Sequence, residues 1–427
     1  MPTDLSGWLC YLEQLHPKSI ALGLERVGQV RDRLGLTPAF PLITVAGTNG
    51  KGSTCAMLER IYLEAGYRVA CYTSPHLLRY NERVRVDGLE VSDADLCAAF
   101  AAVEQVRGAT PLTYFEFGTL AAMEHFIQSG VDVAILEVGL GGRLDAVNIF
   151  EPACAVITSI DLDHMDYLGN SRESIGREKA GIYRKGVPAV CGEPQPPATV
   201  TDRAREVGAD LRQIGQDFGF TFQEETWDFF SSCQSLPGLP PPALNGSFQL
   251  GNAACALEAV ASLQTRLPLA PQAIAAGLRQ VALSGRFQVC DGKPQLILDV
   301  AHNPHAAKGL AENLRRSPHA GRTLAVFAML GDKDIAGVAA ALAGEVDAWF
   351  VADISQPRGA GAATLAACLG NVALDAQVQC FGDVAAALHQ ACLSAGENDR
   401  IAAFGSFYTV ADVMRELPTK RERVHGN

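Results

Sequence analysis

A glycine-rich turn between an apolar run and a helical pattern constrains this chain more than any other feature. Residues 43–46 form a short apolar run, and residues 47–54 continue it as Gly-Thr-Asn-Gly-Lys-Gly-Ser-Thr. Apolar residues then recur at helical spacing, at Met57, Leu58 and Ile61. Glycines let the backbone turn its N–H groups toward an anion, and a helix N-terminus adds partial positive charge. This strand–loop–helix context predicts a phosphate-binding loop; an ordinary glycine turn is the alternative.

The loop has one lysine and an unusual spacing of glycines. Lys51 is placed where its ammonium group can reach the outer phosphates of a nucleotide as a point charge. Compared with GxxxxGK[ST], however, Gly47 and Gly50 are closer together, and Gly52 replaces the hydroxyl residue that binds magnesium. We therefore expect the ligands of a metal ion to come from elsewhere in the chain.

The composition is that of a globular protein of two or three domains. The chain has 427 residues, of which 48% are hydrophobic and 19% are charged. It has no apolar run near the ~20 residues of a membrane span and no signal-peptide pattern at its N-terminus. Its twelve cysteines are scattered without a CxxC pair, which predicts reduced thiols in a cytoplasmic protein. A net charge of −12 argues against nucleic acid as a partner, but a locally positive cleft can still bind anionic small molecules.

Polar side chains follow three apolar strands of the first half. Residues 131–138 carry Glu137 at their C-terminal end, and residues 155–158 are followed by His164. A third strand, residues 68–73, runs into a polar, proline-containing loop. Open α/β sheets bind ligands at the edge where parallel strands end. The first half is therefore predicted to hold a single active site.

The second half restarts as a regular alternation of strands and helices, which predicts a parallel sheet covered on both faces. The predicted fold class is α/β, with a P-loop-type central-sheet ATPase domain and a smaller Rossmann-like C-terminal domain. The predicted boundaries are 1–284 for the first domain, 285–295 for a hinge and 296–427 for the second.

Three further segments carry their own expectations. Residues 16–36 have the apolar spacing of one helix. Residues 210–244 are rich in aromatic and turn residues and show no clear pattern. The basic residues 420–423 near the C-terminus are predicted to be a solvated end.

Eleven short motifs occur in order along nearly the whole chain. They are AGTNGKGS, TSPHL, RYNERVRV, LTYFEFGTL, EVGLGGRLDA, IDLDHMDYLG, SIGREKAGI, SGRFQ, DVAHNPHAA, GDKDIAG and GSFYTVA. On these motifs the chain resembles the bifunctional dihydrofolate synthase/folylpolyglutamate synthase family of the Mur-ligase superfamily. The family pattern has proline before the glycine of SGRFQ, where this chain has Ser284.

The resemblance implies an ATP-dependent amide ligase. Such an enzyme adds L-glutamate to 7,8-dihydropteroate and to folates through an acyl-phosphate intermediate. It must bring together two anions, the polyphosphate and the acceptor carboxylate, so it needs metal ions and preorganised cations. The resemblance thus implies ATP and two Mg²⁺ ions as cofactors, small-molecule substrates only, and a cytoplasmic monomer.

The resemblance also implies roles for individual residues. The ATP-binding residues would be Thr48, Asn49, Gly50, Lys51, Asn252, Arg286, Asp299 and His302. The magnesium ligands would be Ser74, Glu137, His164 and, as its carbamate, Lys179. Lys51, Glu137, His164 and Lys179 would be the catalytic set. The acceptor acid would lie against Thr113, Tyr114, Phe115, Glu116, Leu144, Asp145 and Ala146, under a loop formed by residues 74–83. The C-terminal domain would close over ATP and bind glutamate.

Several of these residues also have simpler explanations. A lone histidine such as His164 is more often a hydrogen-bonded structural residue. Lys179 would be an exposed helical lysine next to Glu178, and Tyr114 and Phe115 would be core aromatics. For Lys179 to form a carbamate, its amine must be neutral, so its site must depress a pKa that starts near ~10.4.

Three other functions remain open at this point. The chain could have folylpolyglutamate synthase activity alone, or it could be a Mur-type ligase for a cell-wall nucleotide precursor. The TSPHL and LTYFEF motifs argue against the latter. A nucleotide-dependent binding module without ligation would explain the glycine loop but not the polar ends of the other strands.

Overall fold

The computed structural model describes residues 1–18, 20–246, 248–317, 319–372 and 376–417. Within it the chain divides into two compact units, Met1–Ala243 with Gln249–Ala282 and Leu244–Phe248 with Leu283–Asn427. The predicted solvated end at residues 420–423 lies outside the described residues. No helix in the described ranges is long and apolar enough to cross a membrane.

The first unit is built on an eight-stranded sheet. Its strands are β1 Leu42–Ala46, β2 Val69–Tyr72, β3 Val84–Val86, β4 Leu89–Glu90, β5 Val133–Glu137, β6 Cys154–Ile157, β7 Pro188–Cys191 and β8 Asp210–Gln213. Their order in the sheet is β4-β3-β2-β5-β1-β6-β7-β8. The six strands from β2 to β8 in that order are parallel, and β3 and β4 form an antiparallel edge.

Helices accompany this sheet. They are α1 Leu5–Gln14, α2 Glu25–Leu34, α3 Lys51–Glu64, α4 Asp93–Arg107, α5 Tyr114–Ser129, α6 Met165–Leu168, α7 Arg172–Lys179, α8 Ala198–Val207, α9 Phe248–Ser262 and α10 Pro271–Gln280. Short 3-10 turns occur at Tyr80–Arg83, Ala146–Ile149 and Ala180–Ile182. Strands β1, β2, β5 and β6 are buried throughout, as expected for parallel strands covered on both faces.

The register of the central strands brings their C-terminal ends together. In the sheet Val45 of β1 is paired with Glu137 of β5 on one side and with Val156 of β6 on the other. The glycine loop follows β1 directly. The loop, Glu137 and the segment after β6 therefore lie together at the C-terminal ends of the central strands, as the sequence predicted.

Two expectations for the first unit change. The predicted helix over 16–36 is wrong, because among the described residues of this range only Glu25–Leu34 is helical and Gly23 adopts a φ of +146° just before it. Residues 210–244, which had no clear pattern, contain β8 and a separate antiparallel sheet. Its strands are β9 Phe218–Gln223, β10 Thr226–Ser231 and β11 Ser235–Leu239, in the order β11-β10-β9.

The second unit is a six-stranded sheet in the order β12-β13-β17-β14-β15-β16. Its strands are β12 Gln288–Cys290, β13 Gln295–Leu298, β14 Thr323–Phe327, β15 Ala348–Ala352, β16 Gln377–Phe381 and β17 Arg400–Phe404. Its helices are α11 Pro304–Arg316, α12 Ile335–Leu342, α13 Ala362–Leu369, α14 Val384–Ser394 and α15 Phe407–Glu416. All strands except β12 are parallel, which confirms the predicted α/β class. Strand β12 lies inside the predicted hinge 285–295.

Candidate active site

The phosphate-type loop joins β1 to α3 and requires glycine at two positions. Gly50 has a φ of +87°, and a Cβ there would stand 2.3 Å from Oδ1 of Asn252. Gly47 has a φ of +154°, and a Cβ there would stand 1.9 Å from Oγ1 of Thr158. Both the backbone conformation and the available space therefore exclude any side chain. Asn252 itself donates from Nδ2 to Oε1 of Gln249 at 3.0 Å.

The segment after β6 holds the loop in place. The Thr48 amide donates to the Ser159 carbonyl at 2.8 Å, and the Thr48 hydroxyl donates to the Asp161 carbonyl at 3.0 Å. The Asn49 carbonyl accepts from the Thr158 hydroxyl at 2.6 Å and from the Ser159 hydroxyl at 3.0 Å. A loop fixed by this many bonds can bind an anion without a large ordering cost.

Lys51 is the first residue of α3, and its side chain folds back over the loop. Its Nζ donates to the Gly47 carbonyl at 3.0 Å and to the Thr48 carbonyl at 3.2 Å. Its charge also acts on two buried ionisable groups, Asp145 and Lys179, and lowers the pKa of both. Asp145 and Lys179 are therefore close enough to Lys51 for its charge to act on them.

Glu137 and Ser74 meet at the ends of neighbouring strands. The Glu137 carboxylate is buried and accepts from the Ser74 amide at 3.0 Å. His164 follows β6 with a φ of +51°, and its Nε2 is 3.9 Å from Oδ2 of Asp163. A left-handed backbone at a non-glycine residue is costly and concentrates at functional sites.

The protein supplies few oxygen ligands for a metal ion at this site. Among the described residues, no group of three or more His, Cys, Asp or Glu side chains is placed to hold a metal ion. The protein instead offers the buried Glu137 carboxylate and the side chain of Ser74, the residue whose amide donates to that carboxylate. Mg²⁺-type ions commonly take one or two protein oxygens and complete their shell with water and substrate phosphates, so this set fits such an ion.

Lys179 is buried at the C-terminal end of α7, with 3% of its surface exposed. The exposed-lysine explanation is therefore wrong. Burial and the positive charge of Lys51 together lower the pKa of Lys179 to about 7, and Asp163 opposes the shift. A considerable fraction of its amine is therefore neutral near pH 7.

Thr113 and Glu116 form a capping box at the start of α5. The Thr113 amide donates to Oε2 of Glu116 at 2.7 Å, and the Glu116 amide donates to the Thr113 hydroxyl at 3.2 Å. Oε1 of Glu116 also accepts from Arg26 at 2.9 Å. Both side chains are buried, so their first role in this structure is to begin the helix.

The aromatic residues between them lie at the boundary of the core. Tyr114 and Phe115 pack against the hydrophobic core but are only partly buried. The Phe115 ring lies 5.8 Å from the Tyr72 ring and packs directly against Gly139, where a Cβ would stand 2.7 Å from the ring. They form an apolar surface beside the EVGLGG turn.

Asp145 is a buried carboxyl group within that region. Burial raises its pKa to about 7, although it accepts from the amides of Leu140 at 2.9 Å and Val147 at 3.0 Å. Leu144 precedes it, with its carbonyl accepting from Gly23 at 3.4 Å, and Ala146 begins the 3-10 turn that follows.

The loop of residues 74–83 is internally ordered by residues that the sequence did not single out. The Glu82 carboxylate accepts from the amides of Leu77, Leu78 and Arg79 at 2.7–2.8 Å. Arg85 forms a buried ion pair with Glu59 at 2.7 Å and also donates to the Glu82 carbonyl at 2.8 Å. The sequence shows Arg83 and Arg85 in the RYNERVRV motif, but the partners of their side chains are known only from the folded structure.

The second unit gathers a further group of the predicted nucleotide-binding residues. The buried carboxylate of Asp299 accepts from the amides of Phe287 and Ala301, each at 2.8 Å. Burial raises the pKa of Asp299, and the nearby charge of Arg286 opposes that shift. The Arg286 guanidinium lies 5.2 Å from the centre of the Phe407 ring. His302 places Nδ1 2.8 Å from the Val300 carbonyl.

Comparison with known proteins identifies the family of this chain. The Mur ligase middle domain model matches residues 45–260, and the Mur ligase glutamate ligase domain model matches residues 285–407. The fold and the loop thus define a Mur-type ligase. More particularly, this chain belongs to the dihydrofolate synthase/folylpolyglutamate synthase family, which confirms the resemblance.

Two kinds of relatives carry that assignment. The dihydrofolate synthase/folylpolyglutamate synthase of Escherichia coli K12 is 49% identical over 420 residues, which cover 98% of this chain and 97% of that protein. The structure of Escherichia coli FolC in complex with DHPP and ADP superposes with a TM-score of 0.92 at 48% identity, covering 97% and 98% of the two chains. A bifunctional relative with Mn, AMPPNP and L-glutamate bound has a TM-score of 0.89 at 50% identity, covering 97% and 98%.

Proposed function

We propose that this protein is an ATP-dependent ligase that adds L-glutamate to 7,8-dihydropteroate and to folates. Family membership supports the reaction class. The observation that carries the proposal is the convergence of a rigid glycine loop, Lys51, the buried Glu137 and the buried Lys179 at one sheet edge. Such a site can bind a polyphosphate and neutralise the charge that develops on the transferred phosphoryl group.

The reaction has two steps. The acceptor carboxylate attacks the γ-phosphate of ATP, which gives an acyl phosphate and releases ADP. The amine of L-glutamate then attacks the acyl carbon, phosphate leaves, and an amide forms with loss of a proton. We assign the phosphates to Thr48, Asn49, Gly50 and Lys51, with Asn252, Arg286, Asp299 and His302 as further nucleotide contacts.

The acceptor side of the site follows from the partly exposed aromatic surface. We assign the acceptor acid to the segments 113–116 and 144–146. The fixed turn at Asp145 and the apolar face of Phe115 support this assignment. Since the Thr113 and Glu116 side chains are engaged in the capping box, they would act on the acceptor mainly by shaping the backbone.

Metal binding is part of the proposal. Ser74, Glu137 and His164 would hold Mg²⁺, with two ions in all, and the relatives include one solved with Mn and AMPPNP. When bound, such ions neutralise phosphate charge. Lys179 would contribute as a carbamate, formed when its neutral amine adds to CO₂ with loss of one proton, and the lowered pKa supports this.

The same proposal includes the organisation of the whole protein. We propose a cytoplasmic monomer whose residues 296–427 close over ATP about a hinge at 285–295 and bind glutamate. Small-angle scattering with and without nucleotide would test the monomeric state and the domain closure. A nucleotide-independent profile, or the mass of a dimer, would contradict them.

The test is an assay of phosphate release from ATP with L-glutamate and either dihydropteroate or a reduced folate. We expect release with both acceptors, dependent on glutamate and on a divalent cation. Release with a folate alone would restrict the activity to folylpolyglutamate synthesis. The absence of release with both acceptors would exclude this function.

A further inference from the structure

Arg83 is a half-buried cation at the edge of the predicted acceptor site. Its guanidinium carbon lies 5.3 Å from the centre of the Tyr80 ring and 5.5 Å from that of Tyr114. Aromatic faces attract a cation and hold its plane without occupying its hydrogen-bonding edge. The Arg83 guanidinium therefore packs against two neighbouring rings, whose centres lie 5.8 Å apart.

The main chain and Nε of Arg83 are also fixed. The Arg83 carbonyl accepts from the Thr73 amide at 2.9 Å, at the end of β2. Nε donates to Nδ1 of His76 at 2.9 Å. A guanidinium has no acceptor, so Nδ1 of His76 must carry the lone pair. Thr73 thus fixes the backbone of Arg83, and His76 fixes its Nε.

The two terminal nitrogens of Arg83 differ from Nε. Within the described part of the chain, Nη1 and Nη2 make no hydrogen bond and no ion pair. By contrast, the neighbouring Arg85 is fully engaged, because it bonds Glu59, Thr73 and the Glu82 carbonyl. A half-buried guanidinium with its paired donors unused has the geometry that binds a carboxylate through two parallel bonds.

The surroundings of Arg83 identify which carboxylate it fits. It is adjacent to Tyr114 of the acceptor segment, and its charge acts on Tyr72, the ring that packs on Phe115. Lys51 and Lys179 lie in the phosphate part of the site, where the reacting carboxylate must go. Arg83 is thus available for a second anion on the acceptor.

We propose that the Arg83 guanidinium binds the carboxylate of a glutamyl acceptor that is not activated by ATP. This inference rests on the proposed function. Dihydropteroate has one carboxylate, which reacts, whereas the terminal glutamyl group of a folate has two. Arg83 is accordingly a specificity residue for chain extension and not for dihydrofolate synthesis.

The test compares the two acceptors in one protein. Arg83→Gln should lower kcat/KM for a reduced folate by about 10- to 100-fold, mainly through KM, as expected for loss of a charge-assisted bidentate pair. It should change kcat/KM for dihydropteroate by no more than about threefold, since that acceptor lacks the second carboxylate. The ratio of the two values within one sample does not depend on the fraction of folded enzyme.

A substrate analogue and a matched variant complete the design. With a folate whose non-reacting carboxylate is an amide, wild type and Arg83→Gln should have the same kcat/KM. Arg68→Gln, at the opposite end of β2 and half-exposed beside Asp87, is the matched control and should leave both acceptors unchanged. Equal losses on both acceptors, or no loss on either, would overturn the role of Arg83. A wild type inactive with both acceptors would instead overturn the proposed function.

Discussion

At the residue scale, burial shifts the pKa values of Lys179 and Asp145 in opposite directions and brings both near neutral pH. It lowers the pKa of the lysine to about 7 and raises that of the aspartic acid to about 7. Removal from water disfavours whichever form is charged. The site therefore holds a base and an acid that can each change protonation near neutral pH, without either being exposed.

Lys179 can be tested by truncation and rescue. Lys179→Ala should lower turnover by about 100-fold or more, because a preorganised charged group is removed from the site. Short carboxylic acids such as acetate should restore part of the activity by supplying the missing anionic oxygen. The exposed Lys185→Ala is the matched control in steady-state assays. Unchanged turnover in Lys179→Ala would remove this residue from the site.

Lys51 makes a separate prediction. Lys51→Ala should lower turnover by about 10²–10³-fold, the range found when one charge-stabilising donor is lost. The loop itself should persist, because residues 158–161 hold it without the lysine. Single-turnover phosphate release together with a thermal unfolding curve would measure both. A near-normal rate would mean that Lys51 does not act on the phosphates.

At the element scale, the glycine loop and the segment after β6 form one structure. Thr158 and Ser159 bond the Asn49 carbonyl, and Gly47 and Gly50 leave no room for side chains. The loop thus approaches its two neighbours closely, and its shape is decided before any ligand binds. The same logic holds at α5, where the capping box fixes the backbone that carries Tyr114 and Phe115.

The capping box yields a prediction about stability. Thr113→Ala should lower the free energy of unfolding by about 1 kcal/mol, since the helix loses its N-cap acceptor. Thr113→Ser keeps the hydroxyl and should stay near wild type. Urea unfolding of the three proteins would measure the difference. Equal stability of Thr113→Ala and wild type would show that the cap contributes nothing.

At the scale of the whole molecule, one buried carboxyl group makes the stability of the protein depend on pH. Glu258 of α9 is fully buried, and the nearby Ser231 side chain and Arg212 charge offset only part of the cost of removing its carboxylate from water. Burial raises its pKa from 4.5 to about 7. The folded protein therefore binds this proton more tightly than the unfolded chain does.

The raised pKa of Glu258 makes the folded protein less stable as the pH rises. Below about pH 4.5 both states are protonated and Glu258 costs nothing; the cost grows as the pH rises and is complete above about pH 7. Glu258→Gln should therefore raise the thermal midpoint at pH 8 by more than at pH 5. The exposed Glu90→Gln is the control in calorimetry. An equal gain at both values would contradict a raised pKa.

The sequence alone determined the outline of this protein, because its strongest signals are local. The loop of residues 47–54 needs only its own glycines and the strand and helix beside it, and the polar ends of β5 and β6 follow from strand direction. The regular alternation after residue 296 was enough for the second sheet. The helix predicted over 16–36 was wrong because the apolar spacing continued through Gly23, whose φ of +146° does not fit a helix.

Only the tertiary structure decided what depends on distant neighbours. The pKa of Lys179 is set by its burial and by Lys51, more than a hundred residues earlier in the sequence. Likewise, only Val84 separates Arg83 from Arg85 in the same motif, yet Arg85 is paired with Glu59 whereas Arg83 packs against the Tyr80 and Tyr114 rings. Residue type and spacing are properties of the chain, whereas burial and charge pairing exist only once the chain has folded.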